Sequence, residues 1–332
     1  MTKKRKIAVI GSNSFSGGDF IDLLLENNRN YIIGISRSEE KSSIFLPYKQ
    51  HKSKNFRFYQ MDLNNDTQKI INLLDTFEPE YIVNFAAQSE VAPSWEHPEQ
   101  WFQTNIVALA KLVNVLKDRS YLKRYIHISS PEVYGTCNGK ITESSPLNPS
   151  TPYAVSKAAA DMFLTTMFKN FNFPLITIRS TNVYGAHQQL FKIIPKSIIN
   201  IKLKTQTELH GGGNAIKSYI HIRDISRGEL AVMETGRVGE IYHLSPEYGI
   251  SIKDIVKIIC NKMQVDFEDA TKIVDERLGQ DAAYVIDSSK SKNEFNWEPK
   301  ISINEGITET INWIETNWNT IIKESMKYIH KE

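Results

Sequence analysis

Short β-prone apolar runs alternate with longer stretches of helical spacing through the first half of the chain, and few folds accommodate that alternation. The runs fall at residues 6–10, 31–36, 81–86, 124–129 and 175–179, and the helical patterns at 17–27, 67–77, 98–117 and 152–170. Strand and helix in turn predict right-handed crossovers, hence an α/β fold with a doubly wound parallel sheet. Later the pattern breaks into shorter pieces at Gly211-Gly212-Gly213, Pro246 and Gly249, with one more helix expected at 304–317. We expect a first unit over residues 1–182 and a smaller, interwoven lobe over 183–332, some of whose segments return to the first.

A chain of 332 residues suits one large α/β unit or a major domain with a lobe. With 41% hydrophobic and 23% charged residues it lies in the globular range, and a formal charge of +2 calls for neither a nucleic acid nor an anionic membrane. The basic start Lys3-Lys4-Arg5-Lys6 runs into Ile7-Ala8-Val9-Ile10, a strand's worth of apolar residues and too short for a signal peptide or membrane span. Cys137 and Cys260 stand far apart, and no His-x-x-x-His pair occurs among the eight histidines. No disulfide framework or metal site is therefore expected, and a reducing cytoplasm fits.

Gly11-Ser12-Asn13-Ser14-Phe15-Ser16-Gly17 lies between the first strand and the first helix. Glycine permits a tight turn there and a helix N-terminus attracts a pyrophosphate, so the first unit reads as a Rossmann-type dinucleotide-binding domain. Gly11, Ser14, Phe15, Ser16 and Gly17 are the expected phosphate-side residues, with Ser14 where a middle glycine is usual. At the end of the second strand, where an acid would bind the ribose of NAD, stand Ser36, Arg37 and Ser38. A guanidinium between two hydroxyls suits a 2′-phosphate, so NADP is expected over NAD, the plainer alternative being a solvated loop charge. Asp62-Leu63 places a carboxylate near the adenine, or simply makes a turn.

Tyr153 and Lys157 are four residues apart and share one helix face. An ammonium beside a phenol stabilises the phenolate, which makes Tyr153 a base for an alcohol proton while hydride leaves for a nicotinamide. Tyr-x-x-x-Lys alone is often a surface pair. The phosphate loop about 140 residues upstream and Ser130 between them give it weight.

Beyond these residues, the chain resembles the extended short-chain dehydrogenase/reductases that act on nucleotide-sugars, nearly from end to end. Ala86-Ala87-Gln88-Ser89-Glu90-Val91 is similar to that family's Ala-Ala-x-Ser-His-Val loop, with Glu90 in place of histidine. Thr104-Asn105-Ile106, Arg179-Ser180-Thr181-Asn182-Val183-Tyr184-Gly185, Ile193-Ile194-Pro195 and Arg277-Leu278-Gly279-Gln280-Asp281 resemble further family segments. Ser129-Ser130-Pro131-Glu132-Val133-Tyr134-Gly135 is most similar to the Ser-Thr-Asp-Glu-Val-Tyr-Gly stretch of the sugar 4,6-dehydratases. That likeness implies catalytic Ser130, Glu132, Tyr153 and Lys157, with Glu132 removing the proton from sugar carbon 5. The acid that would protonate the departing hydroxyl is replaced by Pro131, leaving Glu132 itself or Glu90 to supply the proton.

By the same resemblance Ala86 and Ala87 join Tyr153 and Lys157 at the cofactor, and Gln88, Glu90, Asn182, Lys192, Lys217 and Arg277 face a nucleoside diphosphate sugar. UDP-N-acetylglucosamine is expected by analogy with acetamido-sugar dehydratases. The product is either a 4-keto-6-deoxy sugar or, if hydride returns to carbon 4, a 5,6-ene. A 4- or 5-epimerase and a non-catalytic NADP-binding sensor are the alternatives. The helices around 95–117 and 152–170, with Ala108, Ala110, Ala158, Ala159 and Ala160, resemble those of the family's dimerising four-helix bundle, so a homodimer is expected.

Overall fold

The computed structural model describes residues 4–137, 141–276 and 283–331. In chain order its first half contains β1 (Arg5–Ile10), α1 (Phe15–Leu25), β2 (Asn30–Ser36), β3 (Phe56–Gln60), α2 (Thr67–Phe77), β4 (Tyr81–Asn84), α3 (Leu109–Leu116), β5 (Arg124–Ile128), α4 (Pro152–Phe171) and β6 (Leu175–Ser180). The second half adds α5 (Ile193–Lys202), α6 (Ile222–Thr235), β7 (Ile241–Leu244), α7 (Ile252–Met263) and α8 (Ile303–Thr316).

β1 is apolar without alternation because both of its faces are covered, as parallel sheets require. Ala8 and Ile10 pack with Leu112, Leu116 and Leu164 on one side. Ile7 and Val9 pack with Phe20, Leu24 and Val232 on the other. The seven strands run parallel in the order β7-β6-β5-β4-β1-β2-β3. Strand order reverses between β1 and β4, and the crevice beyond their C-terminal ends is where ligands bind in such sheets.

Three of the differences from the sequence pattern bear on the crevice. β7 comes from the second half and pairs with β6, placing Tyr242 beside Ile178. β4 stops at Asn84, whose side-chain oxygen accepts from the Ala86 amide and turns the chain. The helix expected over 98–117 is composite, with α-helical Pro98–Phe102, a π-helical run Gln103–Ala108 and then α3. The π turn sets Asn105 against the loop after β4, where it accepts from the Gln88 amide at 2.9 Å and donates to the Gln88 carbonyl at 3.0 Å.

The rest of the second half forms a layer over the crevice. Tyr219–His221 pairs with Asn182–Tyr184, and Thr271–Val274 with Thr207–His210. α5, α7 and α8 pack together through Ile194, Ile198, Ile255, Ile259, Ile307 and Ile314. No helix among the described residues is long and apolar enough to cross a membrane.

Candidate active site

Two adjoining cavities open at the C-terminal ends of the strands. The smaller, of about 320 Å³, is lined by Gly11, Asn13 and Ser14, by Ser36, Arg37, Ser38 and Lys41, by Asp62 and Leu63, and by Ala86, Ala87 and Gln88. Gly11 has φ +87°, and a Cβ there would lie 2.6 Å from the Ala86 amide nitrogen. A Cβ at Gly17 would lie 2.4 Å from the Gly11 carbonyl oxygen. Only glycine lets loop, strand end and helix start approach this closely. Ser14, instead of a glycine, caps α1 by accepting from the Gly17 amide at 3.0 Å. Phe15 and Ser16 head the first turn, where amides have no helical acceptor and the dipole favours an anion. These residues fit a dinucleotide: a tight cradle, free helix-start amides and a crevice at the switch point.

The groups at the β2 end are already engaged. Ser36 Oγ accepts from the Asn13 amide at 3.0 Å. The Arg37 guanidinium donates to the Lys331 carbonyl at 3.0 Å, and Ser38 Oγ accepts from Lys331 Nζ at 3.2 Å. Asp62 accepts from the Asn64 amide and from the Asn65 side chain, so its carboxylate is built into the turn after β3.

The larger cavity, of about 720 Å³, is bordered by Ser130, Pro131, Glu132, Tyr153 and Lys157. After β5 the chain makes a 3-10 turn, Pro131–Tyr134, capped by Ser130, whose Oγ accepts from the Glu132 amide at 3.2 Å. Pro131 is the first residue of that turn, where no amide is needed and a fixed φ helps. That gives the proline a local reason and leaves Glu132 as the carboxylate at this edge. α4 begins at Pro152 with Thr151 as its cap, which sets Tyr153 in its first turn facing Ser130. The Ser130 hydroxyl lies on the Tyr153 side of the cavity and acts to lower the pKa of the phenol.

Burial raises the Tyr153 pKa above the ordinary phenol value, and the Glu132 charge raises it further, with the Ser130 hydroxyl opposing both. Lys157 is 3% exposed, and its Nζ donates to the Ile128 carbonyl at 2.6 Å. Burial brings its pKa down to about 8, opposed by the negative charge of Asp161. Desolvation is the largest influence on both groups.

Beneath Ser130, Tyr153 and Lys157 is a buried polar network that motif reading did not assign. Asp161 follows Lys157 by one turn and faces the same way. Its Oδ2 accepts from Ser129 Oγ at 2.8 Å and from Arg179 Nε and Nη2 at 3.0 and 2.8 Å. Arg179 also donates to the Tyr134 hydroxyl, which contacts His243 Nε2 at 2.7 Å. The network ties α4, β6, β7 and the 3-10 turn together under Ser130. The signal was in the chain: Tyr153, Lys157 and Asp161 are spaced by four, and Arg179 heads a motif already singled out.

On the opposite side, Asn182, Lys192 and Lys217 line the larger cavity as expected sugar-nucleotide residues, joined by Lys196 and Lys327, which the sequence did not single out. Lys192 Nζ is 2.7 Å from Glu90, so these two bridge the loop after β4 and the start of α5. Gln88 lines the smaller cavity, not the larger. Arg277 lies outside the described residues.

Fold and site together define an extended short-chain dehydrogenase/reductase, with a dinucleotide crevice and a Ser-Tyr-Lys set at its inner end. Residues 9–310 match the family model described as GDP-mannose 4,6 dehydratase. The dTDP-glucose 4,6-dehydratase of Xanthomonas campestris is 32% identical over 270 residues, 76% of this chain and 77% of that one. The Haemophilus influenzae enzyme of the same name is 28% identical over 92% of this chain and 97% of its own. A crystal structure of dTDP-glucose 4,6-dehydratase from Streptomyces venezuelae with NAD bound superposes with a TM-score of 0.87 at 27% identity, covering 95% of this chain and 98% of that one. The chain belongs to the GDP-mannose 4,6-dehydratase family and is a nicotinamide-dependent nucleotide-sugar dehydratase.

Proposed function

We propose that the protein converts a glucose-type nucleoside diphosphate sugar into its 4-keto-6-deoxy derivative with NAD as resident cofactor. The observation that carries this is Glu132 beside Ser130, Tyr153 and Lys157 on one cavity. Tyr153, aligned by Ser130, takes the proton of the carbon-4 hydroxyl. A dinucleotide held in the smaller cavity would supply the hydride acceptor for carbon 4 and the donor for carbon 6, so the overall change is redox-neutral. Glu132 takes the carbon-5 proton, which the neighbouring carbonyl has made acidic, and delivers it to the departing carbon-6 hydroxyl; as hydride reaches carbon 6, a solvent proton passed through Glu132 restores carbon 5, and Tyr153 releases the carbon-4 proton to solvent. One carboxyl thus serves as base and acid, with Pro131 at the place of a second acid. Glu90 pairs with Lys192 on the other side of the larger cavity.

The expected preference for NADP gives way to NAD. The tail carbonyl of Lys331 takes up Arg37, Asn13 takes up Ser36, and related dehydratases of Bacillus anthracis and Streptomyces venezuelae carry NAD. The expected UDP-N-acetylglucosamine also gives way, since the curated relatives are named for glucose nucleotides. Asn182, Lys196 and Lys217 supply the amide and cations for the diphosphate. Two copies pair through the helices at 98–116 and α4, which leave Phe102, Val107, Val155 and Met162 exposed.

The test is incubation with dTDP-, UDP- and GDP-hexoses and either NAD or NADP. Loss of one water by mass spectrometry and a new 6-methyl signal in the proton NMR spectrum are the expected result. Unchanged mass with inversion at carbon 4 would mean epimerisation, and no conversion of any substrate would overturn the proposal. In Glu132→Gln, solvent deuterium exchange into carbon 5 falls by about 10²-fold or more.

A further inference from the structure

The final described segment, residues 325–331, has no regular secondary structure and crosses the mouth of both cavities. Burial alternates along it: Met326, Tyr328 and His330 are half-buried, while Lys327, Ile329 and Lys331 are exposed. An extended ribbon laid flat on a surface gives this period of two. Met326, Lys327 and Tyr328 border the larger cavity, and Tyr328, Ile329 and Lys331 the smaller.

Its attachments are specific and run along the crevice. Tyr328 stands edge-on to Phe191, with ring centroids 5.4 Å apart, where the two cavities meet. His330 is stacked on Trp101 and on His97, with centroids 5.4 and 5.3 Å away and planes 8° apart, and it also contacts Gln100. The Lys331 carbonyl accepts from Gln88 Nε2 at 2.8 Å and from Arg37 at 3.0 Å. Its ammonium donates to Ser38. Thus the segment fastens to two of the loops that line the smaller cavity, after β2 and after β4, and to the short helices ahead of the π turn. A cavity of about 320 Å³ remains beneath it, so it roofs the space without filling it.

We propose that residues 325–331 form a strap that closes over the bound dinucleotide and retains it from one turnover to the next, which rests on the dinucleotide assignment above. In a reaction that returns its hydride to the same substrate, the cofactor never has to leave, so a closed roof does not slow the cycle. Tyr328 and Lys331 are then cofactor-site residues, and His330 is the fastener that holds the ribbon down from outside the cavity.

His330 borders neither cavity, which makes it the clean variant. Dissociation of NAD from the loaded protein is followed by displacement with excess fluorescent reduced dinucleotide. His330→Ala raises the dissociation rate about tenfold, the effect of losing one good aromatic contact. Deletion from Ser325 onward raises it at least as much, with thermal melting of the cofactor-free protein checking that each variant is folded. Unchanged dissociation in both folded variants overturns the strap, as does deletion that speeds only association, the behaviour of a plug. If the unaltered protein binds neither NAD nor NADP, the dinucleotide assignment fails first, and that outcome is distinct.

Discussion

The two walls of the crevice are made of different material. The inner wall, from β5, β6 and α4, presents Lys157 to the larger cavity over buried Asp161 and Arg179, the three at 3, 4 and 2% exposure and tied to neighbouring elements by hydrogen bonds. The outer wall, from α5, the strand Ile216–Lys217 and the strap, presents Lys192, Lys196, Lys217 and Lys327 from partly exposed positions. Proton and hydride transfer need groups held to a fraction of an ångström in a dry site, where charge acts strongly. Capture of a diphosphate needs cations that solvent can still reach. On the proposed function, reaction type resides in the inner wall and ligand choice in the outer.

The sharpest break between the walls is at the phenol. Tyr153→Phe keeps the shape and removes the base, so kcat falls about 10³-fold or more while sugar-nucleotide binding, read by calorimetry, is retained. Next comes the buried ion pair. Asp161→Asn leaves the Arg179 guanidinium without its carboxylate and lowers unfolding free energy by about 3–5 kcal/mol in urea titration. Replacing both partners by apolar residues of similar volume restores most of that stability. A loss of less than about 1 kcal/mol in the single variant would show that the inner wall is not held by this pair.

A smaller effect follows from pH. With the Lys157 pKa at about 8, the ammonium is lost as pH rises through that value, and turnover declines there. The same group makes the opposite contribution to stability. Its folded pKa lies below its unfolded one, so burial of the charge costs stability below pH 8, and that cost is relieved between about 8 and the ordinary lysine value. An alkaline decline in rate without a parallel decline in melting temperature separates catalysis from unfolding. Smallest of all, Lys196→Met and Lys217→Met each raise KM a few-fold and leave kcat nearly unchanged, as expected of the outer wall. A kcat effect as large as that of Tyr153→Phe would erase the distinction between the walls.

Much of the inner wall could be read in advance because its signals are local. Gly11 and Gly17 bracket a strand-to-helix turn, and Tyr153 and Lys157 are separated by one helical turn. Asp161 carries the same spacing one turn further, yet nothing local names Arg179 as its partner, since they meet across α4 and β6. β7 was missed because Ile241–Leu244 is short and its partner β6 lies some sixty residues earlier. At the other end of the crevice, Ser36-Arg37-Ser38 favoured a 2′-phosphate until Lys331, which follows almost three hundred residues later, was found against it.

What the sequence determined by itself was the doubly wound sheet and the phosphate-loop turn, and it set Tyr153 and Lys157 one helical turn apart, because periodicity, glycine and helix spacing act over a few residues. The tertiary structure alone decided what those groups experience. Burial sets the pKa values of Tyr153 and Lys157, a remote arginine anchors Asp161, and a strap from the far end of the chain covers the cofactor crevice. Desolvation and charge depend on every neighbour in three dimensions, and no spacing along the chain encodes them.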